Sequence, residues 1–135
     1  MFELLVVAAG GGLGAAARFM VDGEIRARHN GGFPWGTFVV NVTGSFLIGL
    51  FTTLAFTLSY LGVPHGTVRL LQLALVVGLC GGYTTFSTST VESVRLAQSG
   101  RMRLALANSL GTLMVTVTAA GLGMWLGTVL SGPYG

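Results

Sequence analysis

Four apolar runs, at residues 4–20, 37–60, 70–90 and 104–130, leave this 135-residue chain few ways to fold. Each is near the ~20 residues with which a helix crosses ~30 Å of hydrocarbon. Only 8% of the residues are charged, and 52% are hydrophobic, whereas a soluble domain carries about a quarter charged residues. The expectation is an all-α membrane protein, with residues 1–135 forming one multi-pass domain of four spans. The first run reads as a span rather than a cleaved leader. Nothing basic precedes it, Arg18 follows the cleavage-like Ala15-Ala16-Ala17, and no hydrophilic domain comes after. Four spans enclose too few side chains to line both a pathway and its walls, so an oligomer is expected.

The third run changes character midway. Residues 78–90 continue the apolar segment, yet place three glycines and six Ser/Thr residues in thirteen positions. A helix in lipid must satisfy its own backbone, and broken backbone is tolerated at depth only inside protein or along a wet cavity. Freed carbonyls and clustered hydroxyls are also how ion sites are made inside membranes. The plainer reading is a small-residue packing face, and the stretch alone leaves both open.

Elsewhere the polar residues fall into patterns. Gly10 and Gly14 have small-xxx-small spacing. The surrounding glycines imitate a dinucleotide fingerprint but lack the βαβ context it requires. Gly121, Gly123 and Gly127 read as packing positions in the fourth run. Arg18 is an interfacial anchor or a cation at the mouth of an anion path. Asn41 and Ser45 share a helical face at i, i+4 spacing, with Thr37 four residues ahead of Asn41; Asn108, Thr112 and Thr116 repeat every four residues along another. Such Ser and Thr residues either bond back to the preceding turn or line a groove. The lone Cys80 reads as a small hydrophobe. The arginines are scattered at loop ends, which excludes the basic stripe of a nucleic-acid binder. No nucleophile–base pair, paired carboxylates or His/Cys cluster occurs at depth, which argues against an enzyme. No span carries a carboxylate to move a proton, which argues against a proton-coupled exporter.

Three segments, taken in order, resemble one family: Gly12-Leu13-Gly14-Ala15-Ala16-Ala17-Arg18-Phe19, then Gly36-Thr37-Phe38-Val39-Val40-Asn41-Val42-Thr43-Gly44-Ser45-Phe46, then Gly81-Gly82-Tyr83-Thr84-Thr85-Phe86-Ser87-Thr88. In a four-span chain of this length they are similar to the Fluc/CrcB fluoride channels. The resemblance implies passive export of fluoride across the inner (plasma) membrane by an antiparallel, dual-topology homodimer embedded in lipid. It implies two pores, each lined by both subunits, and a third helix broken near its middle, at Gly81–Thr84. A structural Na⁺ at the dimer centre would be held by the backbone carbonyls of Gly81 and Thr84. Asn41, Thr85, Phe86, Ser87, Asn108, Thr112 and Thr116 would lie along the fluoride path, and Arg18 at its vestibule.

The chain departs from the family pattern at two positions. Ser89 stands where a second pore Phe is usual, with Tyr83 and Phe46 as candidate replacement rings, and Asn108 stands where Tyr is usual. Arg26, Arg28, Arg95, Arg101 and Arg103 fall on one side and Arg69 alone on the other. Arg-rich loops favour the cytoplasm, whereas an antiparallel homodimer needs both orientations. These features motivate an alternative, a structural or non-conducting subunit paired with a paralogue.

Overall fold

The computed structural model describes residues 1–29 and 31–132. Among them every regular element is helical: α1 (Phe2–Arg28), α2 (Trp35–Tyr60), α3 (residues 65–83), α4 (Phe86–Gln98) and α5 (Met102–Ser131). Four segments are long and apolar enough to cross a membrane, α3 and α4 together supplying the third. At ~1.5 Å per residue, the 26 residues of α2 outrun the ~30 Å of hydrocarbon, so the helix ends emerge with the polar residues.

The stretch from Asp22, which reads as loop, is helical as far as Arg28. Two i, i+4 pairs support it. Arg26 Nε donates to Asp22 at 2.8 Å and Arg28 Nε to Glu24 at 2.7 Å. At the opposite end of the bundle Arg69 of α3 pairs with Glu3 of α1 at 2.9 Å. Glycine terminates two helices in the left-handed region, where other residues are strained. Gly62 (φ 83°) follows α2 and Gly100 (φ 78°) follows α4. In each case the next N–H closes back on the helix, Val63 onto Leu58 and Arg101 onto Leu96, a cap that satisfies otherwise orphaned carbonyls.

Glycines set how the helices meet. A Cβ at Gly14 of α1 would strike the carbonyl of Leu79 and the amide of Tyr83, and one at Gly82 would strike the carbonyl of Gly11. The α1–α3 seam is therefore backbone against backbone. The α2–α5 seam is made the same way, by Gly49 against Ala120 and by Gly123 against Phe46. Lipid tails offer no hydrophobic reward for helix association, so close approach and its dispersion gain take that role. Gly10, Gly14, Gly123 and Gly127 are packing positions, as their spacing suggests, whereas Gly121 faces open space.

The third span is broken near its middle, as expected, but at the C-terminal edge of the expected Gly81–Thr84 stretch and one residue beyond it. Gly81–Tyr83 stays helical, and the extended residues are Thr84 (ψ 156°) and Thr85 (φ −147°, ψ 118°). Gly82 is needed for the approach to α1, while the two threonines make the turn. Thr85 then caps α4, its Oγ1 accepting from the Thr88 N–H at 3.3 Å. Upstream, Leu73–Cys80 is wound as π-helix, and so is Ala107–Gly111 in α5, a local widening that recurs at functional sites.

Candidate ion pathway

Breaking a helix at depth releases backbone groups that must find other partners. Asn41, on α2 opposite the break, supplies both for Thr85. Its Nδ2 donates to the Thr85 carbonyl at 2.9 Å, and its Oδ1 accepts the Thr85 N–H at 2.8 Å. The amide is buried, so this clasp fixes the second half of the span against α2. In a continuous helix the Thr85 N–H would close onto the Gly81 carbonyl, and the Thr88 N–H onto that of Thr84. Both donors are diverted, the first to Asn41 and the second to Thr85 Oγ1. Arg18 Nη1 lies 3.3 Å from the Thr84 carbonyl. The half-buried arginine expected at a vestibule thus sits beside the break.

A groove of about 670 Å³ opens beside the break, walled by α2, α4 and α5. Of the residues picked out in the sequence, Asn41, Thr84, Thr85, Phe86, Thr112 and Thr116 line it, and Ser87, Gly81, Arg18 and Asn108 do not. Phe86 is its only ring among the described residues, and is 86% exposed in the single chain. Tyr83 and Phe46, the candidate replacement rings, do not line this groove. Tyr83 instead pairs its hydroxyl with Thr43 at 3.0 Å. Ser45 and Ser89 also line the groove, and among the described residues their hydroxyls have no hydrogen-bond partner. The Thr112 and Thr116 hydroxyls rest on acceptors within α5, Asn108 Oδ1 and the Leu113 carbonyl.

Asn108, read as the head of a polar stripe, is fully buried. Its Nδ2 donates to the Ser89 carbonyl at 3.1 Å and to Ser93 Oγ at 2.9 Å. It ties α4 to the π-helical turn of α5 and lies behind the groove wall. Asn108→Ala is expected to cost about 2–4 kcal/mol, since two acceptors lose their donor and a cavity opens. Ser93→Ala should cost about 1 kcal/mol. Unfolding in detergent, followed by circular dichroism, measures both, and equal losses would remove the clamp.

At the arginine-rich end, Glu92 of α4 is largely enclosed. Its Oε1 accepts from Arg26 at 2.6 Å and from Thr37 at 3.0 Å, while Oε2 is buried without a partner. The Asp22–Arg26 pair was legible from i, i+4 spacing. The link to Glu92, 66 residues away, left no local signal.

Among the described residues no group of three His, Cys, Asp or Glu side chains could hold a metal. The carbonyls of Gly81 and Thr84 are the candidates for a hard cation, which takes oxygen ligands. Both are released from the helix, but the Thr84 carbonyl already accepts from Arg18 Nη1 at 3.3 Å, so a cation there would have to displace that guanidinium. One chain offers two such oxygens, and a second copy would double them, still fewer than the roughly six to eight that a cation such as calcium takes.

Residues 5–124 match the family described as CrcB-like protein, Camphor Resistance (CrcB). The chain is 48% identical over 130 residues to the fluoride-specific ion channel FluC 1 of Leifsonia xyli subsp. xyli, spanning 96% of this chain and 90% of that protein. It is 39% identical over 126 residues to a protein of the same name from Streptomyces avermitilis, spanning 93% of this chain and 96% of that one. It is 42% identical over 125 residues to the fluoride-specific ion channel FluC 2 of Cutibacterium acnes, with 93% and 97% spanned.

Proposed function

This chain belongs to the CrcB-like family, and on that footing we propose that it is a fluoride-selective channel of the plasma membrane that lets F⁻ leave the cytoplasm down its gradient. The observation that carries the reading is the groove at the broken span, whose walls are largely apolar and whose polar groups are all uncharged donors rather than fixed cations.

Moving a carboxylate-sized ion into a dry interior costs on the order of 20 kcal/mol by a Born estimate, and the smaller fluoride costs more. A path must replace water at every step without holding the ion too tightly. The free hydroxyls of Ser45 and Ser89 can donate at once. Those of Thr112 and Thr116 can swing from their resting acceptors, so each contact is made and broken cheaply. The second proton of the Asn41 amide and the positive edge of the Phe86 ring add donors at the break. Thr85 Oγ1 and Ser87 Oγ lie 3.5 Å apart beside that ring.

Two copies are placed antiparallel, each lending residues to two pores. The support is that Phe86, Ser87 and Gly81 are exposed together in the single chain, a mixed polar and aromatic surface that lipid would not solvate. A sodium ion at the seam would be held by the Gly81 and Thr84 carbonyls of both copies. Bound there, it supplies a fixed positive potential and partners for the released carbonyls.

The test is efflux from liposomes holding only this chain, with fluoride released and chloride retained. Robust chloride flux would overturn the selectivity. Purification and melting in sodium-free buffer with a bulky organic cation is expected to destabilise the dimer; an unchanged melting point would remove sodium from the reading.

A further inference from the structure

The arginines of the basic end are not equally engaged. Arg28 pairs with Glu24, and Arg26 pairs with Asp22 and Glu92. Among the described residues Arg95, Arg101 and Arg103 form no ion pair, and all three come from the end of α4 or the start of α5. Two of them flank one cavity. A space of about 310 Å³ lies between the C-terminal turn of α1, residues 31–36 and the last turns of α4. Its polar wall includes Arg95, Arg26, His29 and Ser99, and its apolar wall includes Phe33, Trp35 and Leu96. The Arg101 guanidinium packs over Gly32, on the rim of the same space.

Phe33, Trp35 and Phe38 form a ring cluster with centroids 4.8–5.7 Å apart, at the first turn of α2. Aromatic clusters at helix ends mark the headgroup level of a bilayer. The cavity thus has the unpaired Arg95 guanidinium on one wall, with that of Arg101 beside it over Gly32, and rings and aliphatic carbon on the other, at the depth where a lipid changes from phosphate to acyl chain. Guanidinium suits phosphate oxygens because its fork can bond two at once. Glu92 also lines the cavity. Arg26 is shared between Glu92 and Asp22, which leaves one negative charge there, and the unpaired Arg95 and Arg101 outweigh it to leave the region net positive.

We propose that this cavity binds the headgroup of an anionic phospholipid, with Arg95 and Arg101 on the phosphodiester and Phe33 and Trp35 against the glycerol and first acyl carbons. Basic pockets between membrane helices take headgroups in this way. A free phosphate would use the guanidinium groups and leave the ring wall unfilled. A nucleic acid would need a longer basic track. The neutral Arg69–Glu3 end of a second, antiparallel copy offers no compensating negative charge. The site is independent of what the groove conducts.

The test titrates the full chain in detergent with phosphatidylglycerol or phosphatidylcholine and counts retained lipid by native mass spectrometry. The wild type is expected to retain phosphatidylglycerol in preference. Each arginine replaced by glutamine should weaken binding about fivefold, the effect of one interfacial charge. The double variant R95Q/R101Q should therefore lose about 25-fold. R95K/R101K, which keeps the charge, should retain most of the affinity, and Arg69→Gln at the far end should change nothing. Equal retention of the two lipids by the wild type, or undiminished phosphatidylglycerol on R95Q/R101Q, overturns the proposal. So does displacement of the lipid by inorganic phosphate at similar concentration, because the site would then select phosphate alone.

Discussion

Asn41→Asp is expected to cut fluoride release from liposomes by roughly a thousandfold. The wild-type amide both donates to and accepts from the Thr85 backbone. A carboxylate can still accept the Thr85 N–H but turns a second acceptor towards the Thr85 carbonyl. That unpaired carbonyl alone costs about 1–3 kcal/mol. The larger effect is on the ion: a negative charge about 4 Å from the path opposes an anion by ~4 kcal/mol at an effective dielectric constant near 20, about three powers of ten in rate. Initial efflux rates from vesicles of matched protein content make the measurement, with chloride retention confirming intact membranes. Asn41→Ala separates the two causes. It breaks the clasp without adding charge, so its flux should lie between those of wild type and aspartate. Undiminished flux in Asn41→Asp would take this residue out of the path, and with it the idea that the clasp at the break faces the ion.

The second large effect falls on assembly of the bundle. Gly14→Ala should destabilise the protein by about 3 kcal/mol or more, at the upper end of what overpacking costs. The added methyl would meet the backbone of Leu79 and Tyr83, and backbone cannot swing aside as a side-chain tip can. The α1–α3 seam would have to open, carrying the broken span with it. Gly12→Ala, two residues away, meets nothing within 4 Å. It should be neutral or slightly stabilising, because alanine is the better helix former. The comparison is made by thermal unfolding of the two variants in one detergent, and similar melting points would show that the seam is not packed as described. Loss of fluoride release in Gly14→Ala would follow indirectly, since the carbonyls at the break are positioned by α3.

The segments that sequence made legible are those governed by local rules. Length and apolarity dictate four helices in lipid, because an unpaired backbone there costs too much for any other open structure. Small-xxx-small spacing marked Gly10 and Gly14 as packing positions. The glycine- and threonine-rich run marked the third span as the one to break. The position of the break was less legible, since Gly81 and Gly82 are the weaker helix formers by propensity. That turn stays helical with α1 packed against Gly82, while Thr84 and Thr85 leave the helix because Asn41 holds the Thr85 backbone from the side.

The polar side chains divide in the same way. Asn108, Thr112 and Thr116 recur on one helical face, and that pattern cannot say which members meet the groove. Packing decides it: α4 covers Asn108 completely and leaves the two threonines at the wall. Spacing marked Ser45 as a groove candidate beside Asn41, but Ser89 carried no signal as a donor, because an unengaged hydroxyl is recognised only by the absence of a neighbour. Glu92 with Arg26, and the cavity beside Arg95, likewise depend on chain segments far apart in order. Sequence by itself therefore determined the solvent this protein folds in, the number of its spans and the one that yields. Tertiary structure alone decided where that span breaks and which polar groups are free. A backbone hydrogen bond is lost or kept according to what stands opposite it, and that neighbour comes from another helix.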